Sequence, residues 1–161
     1  MSVGAIQITL QSWREDGRGV SAEEFLAPLN LQPGEVEATQ TDGGAWASGL
    51  VYLATVNFSE FTHVDASADA GAPREAFGAA IQEAFRAAAR FLDQRPPEVT
   101  ARLRAAGLSL KLFVEIRMNQ DQMDLEFPPV LLAACGRHDL GIFLISNDIP
   151  AAEVLAARAA E

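Results

Sequence analysis

The side chains able to do bond chemistry are few and scattered. Cys135 is the one cysteine of the chain, and His138 follows it by three residues. On a helix the two share a face, and a thiolate–imidazole pair is the chemistry that spacing allows. The surrounding run Val130-Leu131-Leu132-Ala133-Ala134 is apolar. It carries no glycine-rich elbow or protease signature, so Cys135 reads as a small buried hydrophobe. His63-Val64-Asp65 sets an imidazole two residues from a carboxylate. On an extended segment both face one way and form an acid–base couple. No serine, cysteine or second base is placed beside them, so an exposed loop histidine competes with that reading. Trp13 and Trp46 either pack at strand ends or line a ligand cleft, Trp46 beside the same pair.

Asp121, Asp124 and Glu126 crowd one loop, the oxygen chemistry a hard cation prefers. The calcium-loop pattern D-x-[DN]-x-[DN]-G is missing there, and a solvated acidic loop is expected. With two histidines and one cysteine there is neither CxxC nor HExxH, and a transition-metal site is hard to build. Gly17-Arg18-Gly19 lacks the third glycine and the apolar strand of a dinucleotide loop, and no GxxxxGK[ST] exists. The expectation is no catalytic residue, no cofactor and no metal.

The elements that would position these residues follow from periodicity. Ile6, Ile8 and Leu10 alternate with Gln7, Thr9 and Gln11, which predicts a half-buried strand. Ser21 with Glu24 three residues on predicts a capped helix to about Leu29. Residues 35 to 44 read as polar loop and turn, and Ala45–Phe58 as one or two strands bending at Ser48-Gly49. Pro73 is expected to open the longest helix, whose stripe is Phe77, Ile81, Ala84, Phe85, Ala88 and Leu92. Pro96-Pro97 breaks it and starts another, stopped by a left-handed Gly107.

Leu108 to Asn119 alternates most clearly, with Lys111, Phe113, Glu115 and Arg117 on the polar side. Pro128-Pro129 starts a further helix. Gly141–Ile145 is apolar on both sides and reads as a central or covered strand. A last helix is expected from Pro150. The resulting order predicts one domain over residues 1–161: an α+β, two-layer sandwich, ferredoxin-like, its mixed or antiparallel sheet carrying helices on one face. The opposite face would be free, as plain solvated surface in the first instance or as a docking surface, which Phe113 among polar neighbours favours.

Composition narrows the function classes. The chain has 161 residues, 49% hydrophobic and 21% charged, enough apolar matter for a core and too much for a disordered chain. Twelve basic residues against 22 acidic give a formal charge of −10, with Lys111 the sole lysine. Such a field repels phosphate backbones, so no nucleic-acid partner is expected, and it attracts a basic protein. The arginine and alanine bias suggests a high-GC bacterial genome. No run nears the roughly 18 apolar residues that cross a bilayer, and Met1–Trp13 has no signal-peptide pattern. A cytoplasmic protein with no membrane partner is expected.

The stretch from Gly107-Leu108-Ser109-Leu110 through Phe127-Pro128-Pro129-Val130-Leu131-Leu132 to Leu140-Gly141-Ile142 resembles a bacterial family known only as a domain of unknown function. There, a strand is followed by a helix starting at (L/F)-P-P-x-L-L and a short final strand. The resemblance implies no catalytic residues, and it implies a kinship with small acidic domains that act as immunity proteins.

Three functions are therefore in view. The first is a non-enzymatic protein-binding domain, most concretely an immunity protein neutralising a basic toxin. Its contacts would be Glu35, Glu37, Asp42, Phe113, Asp121, Asp124 and Glu126. The second is a small enzyme or ligand-binding domain with a cleft near Trp46, His63 and Asp65. The third is a domain that self-associates, as a homodimer, through the open sheet face.

Overall fold

A computed structural model describes residues 4–31, 38–40, 49–57, 71–118 and 125–148. The element order is β1 (Gly4–Trp13), α1 (Ala22–Leu29), β2 (Ala38–Gln40), β3 (Gly49–Asn57), α2 (Gly71–Asp93), α3 (Pro97–Ala105), β4 (Ser109–Met118), α4 (Pro129–Arg137) and β5 (Gly141–Asp148). The strands form one mixed sheet in the order β2-β3-β1-β4-β5. β1 runs antiparallel to both β3 and β4, and β5 runs parallel to β4. The one parallel pair lies at the edge, not between central strands where a ferredoxin-like chain places it. The α+β architecture with helices packed on the sheet is the one the alternating strands call for.

Local sequence explains most of the boundaries. The Ser21 side chain accepts from the Glu24 amide at 3.1 Å, and Glu24 accepts from the Ser21 amide at 3.0 Å, closing the capping box of α1. Pro97 and Pro129 each stand at the first turn of their helices, where a missing N–H costs nothing. Gly107 ends the α3 turn at φ +85°, a conformation that favours glycine. α2 begins at Gly71, two residues before the proline expected to open it. The polar stretch read as loop contains a strand, β2, whose three residues pair with β3. The helix expected after Pro150 lies outside the described residues.

One core joins the two layers. Ile6, Ile8 and Leu10 of β1 and Leu110, Leu112, Val114 and Ile116 of β4 meet residues from all four helices. The register of β1 on β3 slips between Ile8 and Thr9, a bulge that lets both Leu53 and Ala54 face inward. Gly49 lies under α1: a Cβ there would stand 2.4 Å from Phe25 Cδ1 and 2.8 Å from Ser12 Oγ. Absence of a side chain at Gly49 is thus what lets fully buried Phe25 sit on the sheet.

The strand β5 departs from expectation. Its apolar run suggested cover on both sides, yet among the described residues it is a sheet edge, with Phe143 46% and Leu144 50% exposed. Hydrophobicity reports a preference for burial, not the position of a strand in the sheet.

Candidate functional site

Unusual side chains converge on the face of the sheet that none of the described helices covers. Inward residues alternate with outward ones, and the registers align Tyr52, Thr9, Phe113 and Phe143 in one row across β3, β1, β4 and β5. Phe113 and Phe143 pack at 5.1 Å between ring centroids, tilted by 52°. Trp13, at the end of β1, meets Phe113 edge-on at 6.2 Å and 78°. These are the arrangements aromatic quadrupoles favour. Thr9 is only 4% exposed although it sits on this face, because its row neighbours are Tyr52 and Phe113.

Lys111 completes the cluster. Its Nζ stands 5.6 Å from the Trp13 ring and 5.3 Å from that of Phe143. An exposed cation over a ring contributes roughly 0.5–1 kcal/mol, and an aromatic pair about the same beyond its buried area. Trp13 is further held by its indole N–H, which donates to Glu15 at 3.0 Å; Ser109 donates to the same carboxylate oxygen at 2.9 Å. Gln11 donates to Thr9 at 3.0 Å. The members of the cluster are thus held by one another through ring contacts and by the Glu15 carboxylate.

Of the residues expected to bind a partner, the structure places two, and it keeps them apart. Phe113 is at the centre of the platform. Glu126 is exposed in the helix layer, where its carbonyl accepts from Gln82 of α2 at 2.8 Å. Glu35, Glu37, Asp42, Asp121 and Asp124 lie outside the described residues, as do Trp46, His63 and Asp65 of the alternative cleft. Trp13 stands at a strand end, as its sequence position suggests, while nothing local in the sequence marks Tyr52 and Phe143 as members of a cluster. Trp13 continues the Gln7-Thr9-Gln11 parity, a signal that was legible; Phe143 was hidden by the reading of β5 as covered.

Cys135 and His138 do not form a nucleophilic pair. Both are buried. The Nε2 of His138 lies 2.9 Å from the Leu92 carbonyl, which can only accept, so Nε2 carries the proton. Nδ1 is then the acceptor, 3.2 Å from the Thr100 hydroxyl. Both ring nitrogens are engaged by α2 and α3, and desolvation lowers the pKa of the ring below its ordinary value. Burial pushes the Cys135 thiol up to about 11, the reverse of what a nucleophile needs.

A cavity of about 490 Å³ opens where the end of α1 meets the α2–α3 junction, lined by residues including Pro28, Arg95 and Val99. Arg95 donates to the Leu29 carbonyl at 2.8 Å and the Phe91 carbonyl at 2.7 Å, and stacks 3.7 Å over the Phe91 ring. Its role there is to tie α1 to α2. Among the described residues no cluster of three or more His, Cys, Asp or Glu side chains could hold a metal ion. No described helix is long and apolar enough to cross a membrane. No known protein family, curated protein or solved structure matches the chain.

Proposed function

We propose that this chain is a non-enzymatic protein-binding domain that docks a basic protein on the open face of its sheet. The observation that carries the reading is the packed Trp13–Phe113–Phe143 cluster on a face that no described helix covers. Aromatic side chains are the usual anchors of protein interfaces, and they anchor best where their rotamers are already fixed. The formal charge of −10 supplies the choice of a basic partner, because a net field of that sign speeds encounter before contact is made. Lys111 sits at the cluster itself, so the attraction comes from the molecule's whole field and the grip from the rings. Neutralisation of a basic toxin is the most specific form of this function, the one implied by the resemblance to immunity-like domains.

The test is photo-crosslinking in the native host, with a benzophenone side chain at position 113 and, as a control, at Arg86 on the exposed side of α2. A basic polypeptide captured from position 113 and not from position 86 is the expected result. The same products from both positions, or none from position 113, would overturn the reading.

A further inference from the structure

We propose that the outer edge of β5 pairs with the β5 edge of a second copy of this chain, making one continuous sheet of two subunits about a two-fold axis normal to it. The four exposed large hydrophobic side chains among the described residues are Val130, Leu132, Phe143 and Leu144, all within the α4–β5 unit. β5 bonds to β4 on one side, and among the described residues nothing pairs with its other side. The strand is eight residues long. Its Gly141–Ser146 segment has no proline, lysine or other charge, the features by which natural edges are normally blunted. The opposite edge, β2, is three residues long and offers little to pair with.

The occupant follows from chemistry. An uncharged segment has nothing that selects a charged partner, whereas it is complementary to itself. A two-fold axis normal to the sheet requires antiparallel pairing. With the axis at Leu144, Leu144 opposes its own copy, Phe143 opposes Ile145, and Ile142 opposes Ser146. Opposed residues then share a face, and no like charges meet over this segment. The two aromatic platforms would lie on the same side of the extended sheet, so the pairing adds to the docking face without covering it. The pairing is independent of the proposed function, and salt separates the two. Two subunits of charge −10 repel, so added salt strengthens self-association while it weakens capture of a basic partner.

The experiment is sedimentation of the full chain across protein and salt concentration, together with oxidative cross-linking of Leu144→Cys and, at a position of opposite face, Phe143→Cys. Cα atoms of directly opposed residues stand roughly 4.5–5.5 Å apart, within disulfide reach. The expected results are a dimer favoured by salt, a disulfide dimer from Leu144→Cys, and loss of the dimer in Leu144→Asp with its circular dichroism unchanged. A chain monomeric at every concentration and salt level, a dimer that Leu144→Cys does not trap or that Phe143→Cys traps equally well, or a dimer that Leu144→Asp leaves intact overturns the proposal.

Discussion

At the residue scale, burial decides chemistry. His138 combines a titratable ring with near-complete loss of solvent, and its neutral tautomer is written into two hydrogen bonds, to Leu92 and Thr100. Desolvation is the chief cause that lowers its pKa below 6.5. Above that value the ring is neutral in both folded and unfolded chains, and its contribution to stability is complete. As pH falls, the unfolded chain takes up the proton first, and stability drops until the folded pKa is passed. The urea midpoint of the wild type is therefore expected to fall as the pH is lowered through about 6.5, the ordinary imidazole value at which the unfolded chain begins to protonate. The fall should be smaller in His138→Gln. Equal slopes in the two proteins would assign the pH dependence to other groups. The partners of this ring, 46 and 38 residues away along the chain, could not have been read from the local sequence.

At the scale of elements, the helix–sheet contact of α1 depends on a missing atom. Phe25 lies where a Cβ on Gly49 would intrude at 2.4 Å, and it is fully buried. Gly49→Ala should destabilise the fold by about 1–3 kcal/mol through overpacking, read as a lower urea midpoint at unchanged slope. A midpoint equal to that of the wild type would show that α1 shifts freely. Capping and proline signals made α1, α3 and α4 legible, because a cap acts within three or four residues of its own position. β2 was not legible: three residues carry no period, and the strand exists because β3 offers it an edge. β5 was legible as a strand but not as an edge.

For the whole molecule, the field and the surface make opposite demands. Between 0.1 M and 1 M salt the screening length shrinks from about 10 Å to about 3 Å. Association with a basic partner should slow steeply over that range, chiefly in its on-rate. Self-association through β5 should strengthen, because the repulsion of two acidic subunits is removed while the strip that pairs is uncharged. Stopped-flow mixing and sedimentation read the two effects separately; a common sign would mean that one interface is governed by charges not placed on it here.

Net charge, the lack of metal and phosphate motifs, and a half-wet sheet with helices on one face were properties of the chain itself, since composition and period two need no knowledge of folding partners. Tertiary structure alone decided that Trp13, Phe113, Phe143 and Lys111 form one cluster, and that β5 lies at the rim. Trp13 is 130 residues from Phe143 in sequence, and only strand order and register bring them onto one face, on the two strands that flank β4. Pattern tells a side chain which way to face; pairing tells it whom to meet.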